Sequence, residues 1–153
     1  MSTLTLKIPP LVVLAIVGGL MWLAGKAAPM ANFPLPARPS VALAFAAVGV
    51  GTAVAGVVSF RRAKTTVNPL KPETASSLVV SGIYRRTRNP MYLGALVLLI
   101  GWAVFLANAL AFPVAATFVL YLNRFQIAPE EAALKTQFGS EFTAYVAKVR
   151  RWL

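Results

Sequence analysis

The 153-residue chain contains no cysteine and no histidine, and only four of its side chains are acidic. The absence of cysteine excludes a disulfide framework and thiolate chemistry. Without either residue type we expect no zinc, haem or iron–sulfur site, and the commonest general base is also missing. We therefore predict a protein that works without a bound metal.

Apolar residues are abundant instead. They make up 58% of the chain, against 12% charged residues, and the mean hydropathy is +0.71. This composition is typical of an integral membrane protein, and the length suits a single domain. The net charge of +11 could indicate nucleic acid. However, the cations flank apolar segments and no nucleic-acid-binding motif is present, so we predict contacts with membrane lipids and no nucleic-acid partner.

The apolar runs predict an all-α integral membrane bundle with four transmembrane helices. A span needs about 20 apolar residues, and the candidates cover about residues 9–25, 41–60, 90–107 and 109–126. A signal peptide is the alternative for the first run, but the sequence starts at Met1 with this run in place, which favours a span. Gly49, Gly51 and Gly56 in the second run predict close helix packing rather than a nucleotide-binding loop.

The polar segments complete a single membrane domain over residues 1–153. Residues 61–89 form a predicted cytoplasmic loop, and residues 129–152 an amphipathic, interfacial C-terminal helix that Gly139-Ser140 could interrupt. All but two of the 15 cations, Lys26 and Arg38, fall on one side of this arrangement. The positive-inside rule then places both termini in the cytoplasm, and we predict a location in a bacterial inner membrane.

The motif GIYRRTRNPMYLG, residues 82–94, joins this loop to the third span. Asn89-Pro90 predicts a helix start, with Asn89 as the capping residue. A hairpin of spans three and four would bring the motif to Arg124 and to Glu130-Glu131, a set able to bind carboxylate, amine and cationic groups. Alternatively, the arginines only mark the cytoplasmic side, and the acids only suit the N-terminus of a helix.

This motif and the later segment NRFQIAPEEAALKTQFGSEFTAYVAKVRRW, residues 123–152, resemble the isoprenylcysteine carboxyl methyltransferase and phospholipid methyltransferase superfamily. The resemblance runs from about residue 78 to residue 152. It implies an integral membrane enzyme that uses S-adenosyl-L-methionine, without a Rossmann domain. It further implies that a lipophilic methyl acceptor enters from the bilayer and reacts at the cytoplasmic face.

The resemblance also implies roles for individual residues. The catalytic candidates are Arg88, Arg124 and Glu130, and the cofactor-binding candidates are Tyr84, Asn89, Pro90, Tyr92 and Glu131. In this hypothesis Glu131 binds the amine of the methyl donor, and Arg88 and Arg124 orient the acceptor. Asn89 stands where the family usually has histidine, and an amide cannot act as a base near neutral pH. Methyl transfer to an ionised acceptor remains possible, because it depends mainly on approach geometry and desolvation.

The sequence leaves the acceptor open between a prenylated cysteine carboxylate, a phospholipid amine, and a small thiol or other lipophilic group. The missing histidine mildly disfavours the amine, which must lose a proton. From another class of function, a non-catalytic membrane protein with the same fold could act as an assembly or interaction factor. A transporter is disfavoured, because no charged residue lies within a predicted span.

Overall fold

The computed structural model describes residues 6–64 and 76–153, and within these ranges every regular element is helical. The α-helices are α1 (Pro10–Ala27), α2 (Arg38–Arg62), α3 (Pro90–Leu106), α4 (Ala111–Leu122) and α5 (Ala128–Lys148). Short 3-10 turns cover Pro29–Ala31 and Gly82–Arg85. The prediction of an all-α fold is confirmed for the described part of the chain.

Two of the described helices, α1 and α2, are long and apolar enough to cross a membrane. α3 is apolar but has 17 residues, and α4 has 12. The prediction of four spans is therefore supported for two helices only. Part of the predicted loop 61–89, namely residues 65–75, lies outside the described residues.

Glycines set the distance between α2 and α3. A Cβ added at Gly49 would lie 2.7 Å from the Gly94 carbonyl oxygen, and one added at Gly101 would lie 2.7 Å from the Phe45 Cβ. Side chains at these positions would force the two backbones apart. The prediction that small residues of the second apolar run serve helix packing is confirmed for Gly49 and Gly56, which face Gly94 and Pro90 of the motif. It is wrong for Gly51, where an added Cβ would meet no atom within 4 Å.

The turn between α3 and α4 is closed by a buried asparagine. Ala107 adopts a left-handed conformation with φ 48°, and the side chain of Asn108 is fully buried. The Asn108 amide donates to the carbonyl of Ala28 at 3.0 Å and to Asn32 Oδ1 at 2.8 Å. Its own oxygen accepts from the backbone N–H of Leu110 at 3.0 Å. The hairpin thus turns where the sequence predicted, and neutral hydrogen bonds fasten it to the segment after α1.

From residue 111 to residue 138 the chain is one continuous helical stretch, with a π turn at Asn123–Ile127. Pro129 has no N–H for the carbonyl of Phe125, four residues earlier. That carbonyl accepts a hydrogen bond from the backbone N–H of Leu6 at 3.1 Å instead. Glu130 and Glu131 therefore lie inside a helical stretch. Both also lie in the first turn of α5, so the alternative that they suit a helix N-terminus accounts for their position but not for the contacts described below.

The C-terminal helix is interrupted and ends early. Gly139 has non-helical dihedral angles, φ 52° and ψ −118°, at the break that the sequence suggested. α5 ends at Lys148, and Val149 is extended with φ −124° and ψ 131°. Residues 149–152, which we call the C-terminal strap, therefore leave the helix and are able to contact the motif loop.

Candidate functional site

The motif loop is anchored between α2 and α5 before it reaches α3. Gly82 has φ 62°, and a Cβ there would lie 2.8 Å from the Ser59 hydroxyl oxygen. The buried ring of Tyr84 meets Phe60 edge to face, with centroids 5.4 Å apart. The Tyr145 hydroxyl donates to the Tyr84 carbonyl at 2.8 Å. Burial raises the pKa of both phenols, that of Tyr145 to about 12, so both remain protonated near neutral pH.

Arg88 connects the motif loop to α5 and to the strap. Its Nη2 donates to Glu131 Oε1 at 2.8 Å, and its Nη1 donates to the Val149 carbonyl at 2.8 Å and more weakly to that of Val146 at 3.3 Å. Its backbone N–H donates to the carbonyl of Arg150 at 3.0 Å. The side chain is 11% exposed. Among the described residues its Nε has no hydrogen-bond partner.

Glu131 binds a second cation from the strap. Arg151 Nε donates to Glu131 Oε1 at 3.1 Å, and Arg151 Nη2 donates to Oε2 at 2.5 Å. One carboxylate therefore lies between two guanidinium groups, and both of its oxygens are occupied. Such bidentate, charge-assisted pairs are among the strongest polar contacts in proteins.

Asn89 occupies the N-cap position of α3, which begins at Pro90 as predicted, but its side chain makes no capping hydrogen bond. Its side-chain Nδ2 donates to the carbonyl of Arg151 at 2.9 Å, and the Thr87 hydroxyl donates to the same carbonyl at 3.3 Å. The backbone N–H of Asn89 donates to that hydroxyl oxygen at 3.2 Å. The amide at the position where the family usually has histidine therefore helps to hold the strap.

Glu130 has a different environment from its neighbour. Tyr92 Oη donates to Glu130 Oε1 at 2.6 Å, and the buried Gln126 donates to the same oxygen at 2.5 Å. No described cation lies within ion-pair distance of this carboxylate. Burial raises the pKa of Glu130 to about 7, although the two hydrogen bonds oppose the shift. Glu130 is therefore a carboxyl group that can gain or lose a proton near neutral pH.

The structure brings most of the predicted site residues together, with one exception. Tyr84, Arg88, Asn89, Pro90, Tyr92, Glu130 and Glu131 all lie in or around this cluster. Arg124 is exposed and makes no hydrogen bond or ion pair in the described part of the chain. The sequence reasoning missed Thr87, Gln126, Tyr145 and Arg151. Of these, Arg151 belongs to a short basic run near the C-terminus, and the sequence indicated for that run only a contact with the membrane surface.

Nothing in the described ranges suggests a metal centre. No group of three or more histidine, cysteine, aspartate or glutamate side chains there could hold an ion. Within those ranges the polar chemistry of the site rests on two carboxylates, two paired guanidinium groups, an amide and several phenols.

Comparison with known proteins identifies the family. The sequence model of phospholipid methyltransferases matches residues 37–141 of this chain. The chain belongs to this family. The matched segment includes α2, the motif loop, the α3–α4 hairpin and the acidic pair, whereas Tyr145 and the C-terminal strap lie beyond it.

Individual relatives agree with this membership, each over a shorter segment of the chain. Two rice proteins, from Oryza sativa subspecies indica and japonica, bear the name probable protein-S-isoprenylcysteine O-methyltransferase. Each is 36% identical over 100 residues, which cover 63% of this chain and 51% of the rice protein. This chain thus spans about half the length of these relatives. An uncharacterized protein of Haemophilus influenzae is 48% identical over 63 residues, 41% of this chain and all of that protein.

Family and relatives together indicate a membrane methyltransferase of the phospholipid and isoprenylcysteine type. The apolar helices α1 and α2 agree with a membrane protein.

Proposed function

We propose that this protein transfers a methyl group from S-adenosyl-L-methionine to a lipophilic acceptor at the cytoplasmic face of the membrane. In this proposal the chain crosses the bilayer four times, with both termini in the cytoplasm of a bacterial cell. One observation carries the proposal: the α3–α4 hairpin brings the motif loop onto the acidic pair, with Arg88 2.8 Å from Glu131 and Tyr92 2.6 Å from Glu130.

The cluster has the chemistry that such a donor requires. When bound, S-adenosylmethionine supplies an electrophilic methyl group on a positively charged sulfur. Among the described residues, the carboxylate of Glu130 has no cationic partner, so it can balance the charge of a positive ligand. The ring of Tyr92 provides an aromatic face beside it. We assign the donor-binding surface to Tyr84, Asn89, Pro90, Tyr92 and Glu131, as the family resemblance implies.

Glu130 is our candidate for proton transfer. A base poised near the operating pH is the most effective, and the pKa of Glu130 is raised to about 7. The chain therefore has a proton acceptor although its motif lacks histidine. This removes the objection to an amine acceptor, so a phospholipid amine stands beside a prenylated cysteine carboxylate and a thiol.

The two remaining catalytic candidates have different environments. Arg88 is committed to Glu131 and to carbonyl oxygens of the C-terminal region, so we assign it the task of positioning Glu131. Arg124 is exposed, and we assign it the task of attracting the carboxylate or phosphate of the acceptor. Lipophilic parts of that acceptor would remain in the bilayer beside the apolar helices.

The proposal is tested with purified protein in lipid nanodiscs. Calorimetric titration with S-adenosylmethionine and S-adenosylhomocysteine should show saturable binding. Radiolabelled methyl transfer is then measured to a prenylated cysteine, to phosphatidylethanolamine and to a lipophilic thiol. For at least one acceptor we expect turnover that falls at least 100-fold in Glu130→Gln, while Glu141→Gln, an exposed acid on the same helix, keeps the wild-type rate.

Absence of binding by protein shown to be folded would overturn the proposal. It would favour the non-catalytic alternative, in which the same fold serves as an assembly or interaction factor. Binding together with equal turnover in Glu130→Gln and wild type would leave methyl transfer in place and refute the role of Glu130.

A further inference from the structure

The two cations that bind Glu131 are held in very different ways. Arg88 is 11% exposed, and its guanidinium is also bonded to the carbonyls of Val146 and Val149. Arg151 is 35% exposed, and in the described structure its guanidinium is bonded to Glu131 alone. The Arg88 contact is therefore part of the framework, whereas the Arg151 guanidinium can leave Glu131 without breaking another described hydrogen bond of its own.

We propose that Arg151 is a built-in occupant of a cation-binding site on Glu131, and that the ammonium group of the methyl donor displaces it. The inference rests on the proposed function, because it assigns the ligand of Glu131 from the expected donor. It adds that the site inhibits itself, because the guanidinium of Arg151 occupies the position on Glu131 that the ammonium group of the donor would take.

Charge balance favours exchange over simple addition. Three hydrogen bonds from guanidinium groups already end on the two oxygens of Glu131, and a carboxylate accepts about four, so an ammonium group can make only one hydrogen bond to it unless a guanidinium leaves. Exchange replaces one cation by another, and Arg88 stays paired throughout. A partly buried carboxylate is therefore never left without a counter-charge, a state that would cost several kcal/mol.

The exchange has a mechanical consequence for the C-terminal strap. The strap is also held through the carbonyl of Arg150, which accepts from the backbone of Arg88, and through Trp152, whose indole N–H donates to Asn123 at 3.1 Å. Loss of the Arg151 ion pair removes one of the two charged attachments of the strap. It leaves the Arg88 guanidinium on the Val149 carbonyl and the neutral hydrogen bonds of Arg150, Arg151 and Trp152. We therefore expect the strap to loosen when donor binds, and Trp152 to report it.

The decisive variant is Arg151→Gln, with Arg150→Gln as its matched control. Arg150 is the adjacent, exposed residue, and in the described structure only its backbone carbonyl makes a contact. In wild type, only the fraction of molecules in which Arg151 has left Glu131 can bind the ammonium group, and the apparent affinity is reduced by that fraction. Removal of the Arg151 guanidinium should remove this reduction. We expect Arg151→Gln to bind S-adenosylmethionine about 10-fold more tightly than wild type in calorimetric titration, and Arg150→Gln to match wild type.

The chemical group responsible is identified by two further ligands. S-adenosylhomocysteine keeps the ammonium group, so its affinity should rise by the same factor in Arg151→Gln. Methylthioadenosine lacks the amino-acid part, so its affinity should be the same in Arg151→Gln and wild type. An equal gain for methylthioadenosine would overturn the inference, because the competition would then not concern the ammonium group.

The direction of the change in donor affinity distinguishes two roles of Arg151. Displacement by the donor predicts tighter binding in Arg151→Gln, and a role in positioning the donor predicts weaker binding. Weaker or unchanged donor binding in folded Arg151→Gln overturns the inference, whereas wild-type binding would still support the proposed function. If wild type binds none of the ligands, the proposed function falls as well. Should Arg151→Gln fail to fold, tryptophan fluorescence of the wild type decides. A donor-induced change that is lost in Trp152→Phe supports displacement, and its absence refutes it.

Discussion

Each end of the α3–α4 hairpin carries polar side chains beside an apolar helix pair, and the two ends stabilise these side chains with different kinds of contact. At the turn, Asn108 is fully buried, and its amide is satisfied by neutral partners. At the opposite end the contacts are charged and unevenly satisfied. Among residues 6–64 and 76–153, Glu131 has two cationic partners, Glu130 has none, and Arg88 Nε has no hydrogen-bond partner. A fully satisfied neutral network fixes a geometry, whereas a charged network with spare capacity can change partners.

The largest effect is expected at the charged end. Glu131→Gln leaves two guanidinium groups without a carboxylate, one of them mostly buried. Removal of one partner from such a pair costs about 3 kcal/mol or more, which corresponds to a fall of roughly 6–12 °C in the unfolding midpoint. Thermal unfolding in detergent measures it, with Glu141→Gln as the exposed control. A midpoint within 2 °C of wild type, roughly the shift for less than 1 kcal/mol, would show that the ion cluster does not contribute to stability.

A smaller loss of stability is expected at the neutral end. Asn108→Ala leaves the carbonyl of Ala28, the oxygen of Asn32 and the N–H of Leu110 without this partner, at a cost of about 2 kcal/mol. Because α3 with its 17 residues separates this end from the site by about 25 Å, donor affinity should stay within roughly twofold of wild type. Calorimetric titration below the unfolding midpoint checks this. A large loss of affinity would refute the separation between the two ends.

A third effect concerns the pH dependence of stability. Because the pKa of Glu130 is raised from 4.5 to about 7, the folded protein binds this proton more tightly than the unfolded chain. The associated stability is complete below about pH 4.5 and is lost as the pH rises through 7. Glu130→Gln should therefore reduce the change of the unfolding midpoint with pH between pH 4.5 and 7. Tyr92→Phe removes a donor to the ionised carboxylate, so it should move the upper end of this window to higher pH. An unchanged profile in both variants would refute the assignment.

Some of the fold follows directly from the sequence, and the reason is local. The helix start at Pro90, the turn at Asn108 and the break at Gly139 are set by the conformational limits of those residues and their immediate neighbours. The small-residue pattern likewise identified the packing face of α2. The proximity of the motif loop to Glu130 and Glu131 follows from hairpin geometry once the turn is placed, although the individual partners of Arg88 and Tyr92 do not.

Other features depend on contacts that no local pattern contains. Asn89 is an ordinary capping residue by sequence, yet its side chain turns to the carbonyl of Arg151. Arg151 itself looked like one more surface cation, because the strap leaves the helix only after Lys148. In these cases the partner is about sixty residues away or depends on where a helix ends, so a pattern read from neighbouring residues cannot identify it.

Pro129 has a consequence for the order in which the protein assembles. The carbonyl that it leaves without an intrahelical partner is taken up by the backbone of Leu6, so an acceptor late in the chain fixes a donor at its beginning. During synthesis that donor emerges long before the acceptor exists. Contacts between such distant positions form slowly, since a long loop must close first. The first helix can therefore insert early, but its leading segment finds its final place only after the hairpin is complete.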